Sequence, residues 1–128
     1  MAATSAKRIL VVEDDPVAQK VLIDGLTAHG YHVLVARTGP EGIERAEREQ
    51  PDLVLCDVLL PQKSGFEVCF ELKRRAITQD VPVIFMSAVC RDSYSEAYAS
   101  TDLRADGYFL KPFSMTAMVG RIRELLAS

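Results

Sequence analysis

The sequence contains no tryptophan, only three cysteines and no apolar run long enough to span a bilayer. Its longest apolar runs, such as Leu53-Val54-Leu55-Cys56, stop far short of the roughly 20 residues that a membrane helix requires. Met1 to Arg8 likewise lacks the apolar stretch of a signal peptide. A cytoplasmic protein with no membrane partner is therefore expected. The cysteines, Cys56, Cys69 and Cys90, are odd in number and show no CxxC spacing, which argues for reduced packing thiols and against a disulfide framework or a zinc site. Positive charge is scarce too: 15 Lys and Arg face 18 Asp and Glu, the formal net charge is -3, and no Lys/Arg-rich run occurs. Such a surface offers no attractive field to a phosphate backbone, so direct nucleic-acid binding is not expected. No internal repeat or low-complexity tract is present.

What is present suits one globular domain covering 1–128, with a core of about 7–127: the 128 residues are 48% hydrophobic and 26% charged. A chain of this size removes roughly two-thirds of its unfolded surface from water, enough for a core without metals or cross-links. Ile9 to Val12 is a continuous β-favouring apolar run, as in a strand covered on both faces. Asp15 and Pro16 read as an N-cap and first helical position, and Ala18, Val21, Leu22, Gly25 and Leu26 then form one helical stripe that Gly30 ends. Tyr31 to Ala36 gives a second strand, and Thr38-Gly39-Pro40 leads into a short helix with Ile43 and Ala46 as its core residues. Leu53 to Cys56, the most apolar strand, is expected at the centre of the sheet. After the Pro61 to Gly65 loop, Val68, Cys69 and Leu72 share a helical face, with Phe66 and Phe70 on its flank. Val81 to Met86 is the fourth strand. Arg91 to Asp102 has helical spacing but few anchors, so its helix is expected to be marginal. Gly107 to Leu110 is the fifth strand, and Ser114 caps a last helix whose stripe is Met115, Met118, Val119, Ile122, Leu125 and Leu126. Five strand-helix units in about 120 residues call for right-handed crossovers and helices on both faces. The expected fold is a doubly wound α/β domain with a five-stranded parallel sheet.

In such sheets the functional crevice lies beyond the carboxyl ends of the strands, where strand order reverses. The first strand ends in Glu13-Asp14-Asp15, the third in Asp57, the fourth in Ser87 and the fifth in Lys111. Carboxylates gathered at one edge repel, and a divalent cation relieves them. Oxygen-only donors suit Mg²⁺, and Lys111 adds one more positive charge, which leaves the edge able to accept a phosphoryl group. Asp57, alone on the central strand and followed by a loop, is the best-placed nucleophile for forming an acyl phosphate. Asp15 is read as the helix cap. His29 and His32 are separated by the helix-ending Gly30 and do not form a ligand pair.

Taken in order, Ile-Leu-Val-Val-Glu13-Asp14-Asp15-Pro, then Pro51 to Asp57 with Pro61 and Gly65, then Pro82 to Ser87-Ala88, then Gly107-Tyr-Phe-Leu-Lys111-Pro112-Phe113, the chain resembles a CheY-like receiver domain of bacterial two-component response regulators. The resemblance covers roughly residues 7 to 127. It implies a flavodoxin-like (βα)5 fold in which Asp57 takes phosphate from a histidine kinase, a phosphotransfer protein or a small phosphodonor. It implies that Glu13, Asp14, Asp57 and the Leu59 carbonyl hold Mg²⁺, Asp14 most directly. Ser87 would turn its hydroxyl toward the phosphoryl oxygens, Lys111 would pair with them, Tyr108 would be an aromatic rotamer switch, and Lys111-Pro112 is the place for a cis peptide. The output would be a shift at the fourth helix, fifth strand and fifth helix that controls a downstream protein effector, with a phosphorylation-dependent homodimer as a candidate assembly. No effector domain is expected within 1–128, and no enzyme activity beyond self-phosphorylation and slow self-dephosphorylation. The slow step is expected because Leu59 and Val89 are apolar where water-orienting groups often stand. Arg104 in place of a usual glycine, and a stretch from Ser87 to Lys111 about two residues longer than usual, are further departures. A pseudo-receiver that binds partners without phosphorylation is the alternative. An aspartyl phosphatase would want an acid at position 59, and Glu13-Asp14-Asp15 would repel a flavin phosphate.

Overall fold

The computed structural model describes residues 6–88 and 105–127. Five strands, β1 (Arg8–Val12), β2 (His32–Ala36), β3 (Leu53–Asp57), β4 (Val83–Ser87) and β5 (Gly107–Leu110), form one parallel sheet in the order β2-β1-β3-β4-β5. Four helices accompany them among the described residues: α1 (Pro16–Ala28), α2 (Gly39–Glu49), α3 (Gly65–Lys73) and α4 (Met115–Leu126). Leu53 to Asp57 is indeed the central strand. The helix expected over Arg91 to Asp102, together with Val89, Cys90 and Arg104, lies outside the described residues.

The alternation of side chains along each strand explains why the strands are apolar throughout. Leu10, Val12, Val54, Cys56, Val83 and Phe85 point to one face, where Ile43 and Ala46 of α2 and Val68, Cys69 and Leu72 of α3 cover them. Ile9, Val11, Leu53, Leu55, Ile84 and Met86 point to the other, against Leu22 and Leu26 of α1 and Met118, Val119 and Ile122 of α4. A strand buried on both sides has no polar face to display. Each of these buried large aliphatic side chains stabilises the fold by roughly 1.5–3 kcal/mol relative to exposure.

The caps follow the expected chemistry. Asp15 accepts from the N–H groups of Val17 (3.4 Å) and Ala18 (3.2 Å), and Ser114 accepts from Ala117 at 3.2 Å. Gly30, at φ 90°, ends α1 in a conformation that a side chain would strain. Two faces differ from expectation. Val21 is 55% exposed, because the fully buried stripe of α1 narrows to Leu22 and Leu26. Phe66 is buried beside Phe85, whereas Phe70 faces out under the Arg74 guanidinium, 5.3 Å from its ring centre. β2 begins one residue later than expected and β4 runs from Val83 to Ser87. β1 lies between β2 and β3, so the chain leaves it first to one side and then to the other. That reversal opens a crevice at the carboxyl ends of β1 and β3.

Candidate functional site at the carboxyl edge of the sheet

Glu13, Asp14 and Asp57 meet in this crevice, each offering a carboxylate oxygen such that all three atoms lie within 4.8 Å of one another. Glu13 and Asp57 are buried, at 1% and 6% exposure, while Asp14 is exposed. Lys111, carried in from the end of β5, places its Nζ 2.5 Å from Glu13 Oε1 and 3.1 Å from Asp57 Oδ2. Backbone donors complete the arrangement: the Leu59 N–H donates to Asp57 Oδ1 at 3.2 Å, and the Asp15 N–H to Glu13 Oε2 at 3.1 Å. Burial pushes the Glu13 carboxyl above its ordinary range; the Lys111 hydrogen bond opposes this and the Asp57 charge adds to it. Burial works against the Lys111 ammonium, yet its hydrogen bond to Glu13 and the charge of Asp57 hold its pKa above the ordinary lysine value.

Gly65 fixes the distance between the central strand and α3. A Cβ there would sit 2.2 Å from the Asp57 carbonyl oxygen, closer than any relaxation of a side chain could relieve. The Gly65 N–H also donates to Val58 O at 2.8 Å, so the loop after Asp57 returns tightly onto the strand.

Of the residues singled out from sequence, Glu13, Asp14, Asp57 and Lys111 are brought together. Ser87 is fully buried at the end of β4, one strand over from Asp57, and its carbonyl accepts the Lys111 N–H at 2.8 Å. Tyr108 is half-buried on β5 with its ring 6.3 Å from that of Phe85. Leu59 is 47% exposed at the rim, and its contact with Asp57 is through its N–H. The Lys111-Pro112 peptide is cis. His29 and His32 are exposed and apart from the site. Cys56, next to Asp57, is buried, and desolvation, with Cys69 nearby, drives its pKa well above 9.0, as befits an inert packing thiol. Gln19 was not legible: a polar residue in a half-exposed helical turn reads as surface, yet its side-chain amide donates to the Glu13 carbonyl at 2.5 Å.

A doubly wound sheet with an acidic triad and a lysine at its carboxyl edge defines the receiver class of signalling domains. A family model for the response regulator receiver domain matches residues 9–123, and the chain belongs to that family. It is 40% identical over 119 residues to the response regulator MprA of Mycobacterium leprae, an alignment covering 93% of this chain and 50% of that protein. The chain thus spans about half the length of such relatives. Among solved structures, the receiver domain of a sensor histidine kinase from Pseudomonas aeruginosa PAO1, with a magnesium ion coordinated in its active site cleft, superposes with a TM-score of 0.87 at 27% identity, over 96% of this chain and 99% of that one. The BeF3-activated N-terminal receiver domain of Klebsiella pneumoniae RstA gives 0.84 at 30% identity, over 95% and 100%. No helix among the described residues is long and apolar enough to cross a membrane.

Proposed function

We propose that Asp57 is the phosphoacceptor of this receiver domain and that Glu13, Asp14, Asp57 and the Leu59 carbonyl hold Mg²⁺ beside it. The donor set supports a hard cation: every side-chain donor is oxygen, three carboxylates converge within 4.8 Å, and among the described residues one ammonium, that of Lys111, faces them. Held by these residues, Mg²⁺ would supply charge neutralisation for a phosphoryl group at Asp57. The Pseudomonas relative, with its magnesium in the corresponding class of cleft, supports the assignment.

The observation that carries the reading is the reach of Lys111 to both Glu13 and Asp57. A carboxylate held against an ammonium in a mostly buried setting stays available as a nucleophile, and the same ammonium can pair with the incoming phosphoryl group. One Asp57 oxygen forms a bond to phosphorus as the bond from phosphorus to the donor's histidine nitrogen breaks. The departing ring nitrogen keeps that electron pair and takes a proton. The new group adds charge and acceptor oxygens. Ser87 would turn its hydroxyl toward them, and Tyr108 would follow by a change of rotamer, shifting a two-state equilibrium at the β4 and β5 edge. The partners on this reading are a histidine kinase or phosphotransfer protein, a downstream protein effector, and a phosphorylation-dependent second copy, all in the cytoplasm. The domain is a carrier of phosphate, with self-phosphorylation and slow self-dephosphorylation as its only chemistry.

Incubation with acetyl phosphate and Mg²⁺, followed by mass spectrometry, tests the proposal. The wild type should gain one phosphoryl group that Asp57→Asn does not. A wild type that gains nothing would leave a phosphorylation-independent binding module.

A further inference from the structure

Every polar group of Glu13 is engaged. Its N–H donates to Ala36 O at 2.9 Å, Oε1 accepts from Lys111 and Oε2 from the Asp15 N–H, and its carbonyl accepts from the Gln19 amide. The last bond is of a different kind from the others. The Glu13 N–H makes its bond to Ala36 O on the β2 side, and the Glu13 carbonyl on that same side lies past the end of the β1–β2 register at Val12 and Ala36, where no backbone donor among the described residues meets it. A side chain from the first turns of α1, six residues on, takes the place of that donor.

Asp14 stands between these fixed points. On one side Gln19 holds the carbonyl of Glu13; on the other, Asp15 donates its N–H to Glu13 and caps α1 with its carboxylate. The Asp14 carboxylate itself is exposed and makes no ion pair among the described residues. Its backbone is clamped while its carboxylate takes no ion pair or hydrogen bond from the described residues, the condition in which a cation ligand loses least entropy on binding.

We propose that Gln19 is a positioning residue for the cation site, its amide fixing the Glu13-Asp14 turn so that Asp14 presents its carboxylate in one direction. This rests on the reading of the three carboxylates as a Mg²⁺ site. Gln19→Met keeps the length and bulk of the side chain and removes the donor; Gln19→Ala removes the donor with no bulk to misplace.

Calorimetric titration of MgCl2 into the full chain should show both variants binding more weakly by on the order of tenfold. Their thermal midpoints in EDTA should lie within about two degrees of wild type, since a half-exposed hydrogen bond contributes little to the fold. In acetyl phosphate reactions the half-saturating Mg²⁺ concentration should rise while the rate at saturating Mg²⁺ stays the same. Variants that bind Mg²⁺ as wild type does, in a wild type that binds it, would overturn the role of Gln19 alone. So would a loss of saturated rate together with a large fall in the midpoint, which marks a merely structural contact. A wild type that takes up no Mg²⁺ would remove the cation site and this role with it.

Discussion

Glu13 illustrates how one buried side chain can hold a site together and weaken the fold at the same time. Burial raises its pKa, so in the window above the ordinary glutamate value the folded protein binds more protons than the unfolded chain. Stability from this residue therefore falls as pH rises through that window and is recovered on acidification. Glu13→Gln removes the titration, so the thermal midpoint of the variant minus that of wild type, both in EDTA, should grow as pH is raised from about 4.5 toward 7. A difference that shrinks over that range would mean the Lys111 ion pair outweighs desolvation. Leu59 makes the second test at this scale. Exposed at 47% and bonded to Asp57 only through its N–H, it offers no group to orient an attacking water. Leu59→Asn should shorten the acyl-phosphate lifetime several-fold, measured by the decay of the phosphorylated mass; an unchanged lifetime would remove Leu59 from the account.

Elements are set against one another most tightly where backbone meets backbone. Gly65 begins α3 against the carbonyl of Asp57, and a methyl group there would lie 2.2 Å from that oxygen. Gly65→Ala should therefore destabilise the domain by about 3 kcal/mol in urea unfolding and slow phosphorylation of Asp57, because strand and loop must separate to admit it. Gly120 is the contrast: it lies on the exposed side of α4, and a Cβ added there would meet nothing within 4 Å. Gly120→Ala should stabilise by about 0.5–1 kcal/mol through helix propensity alone. A destabilising Gly120→Ala would show that α4 packs more closely than its buried stripe of Met118, Val119 and Ile122 indicates.

Across the whole molecule, the site and the far edge of the sheet are joined by one lysine and two adjacent strands. Lys111 follows β5 directly, its N–H bonded to Ser87 O of β4, while its Nζ reaches Asp57 of β3. On the proposed reading a phosphoryl mimic on Asp57 would pull on that side chain, and Phe66, Phe85 and Tyr108 form a run of ring contacts beside it, with centroids 5.0 and 6.3 Å apart. Beryllofluoride with Mg²⁺ should therefore change amide exchange in residues 105–113 by more than in β1 and β2. Identical exchange there with and without the mimic would leave phosphorylation with no path to an output surface.

The order of strands and helices, their caps and the four strand-end residues Glu13, Asp14, Asp57 and Lys111 were legible in the sequence. Each rests on a local rule: apolar runs for strands buried on both faces, Asp15 and Ser114 for helix starts, and polar residues at or just past the carboxyl ends of the strands. Phe66 and Phe70 share a helix flank in sequence, and only the packing of α3 beneath Phe85 decides which is buried. Val21 lies on the apolar stripe of α1 yet faces outward, since only Leu22 and Leu26 of that stripe are buried against the sheet. The division of Lys111 between Glu13 and Asp57, and the reach of Gln19 to the Glu13 carbonyl, are likewise tertiary. Periodicity assigns a residue to a face, whereas a hydrogen bond across six or 98 positions depends on where two elements come to rest.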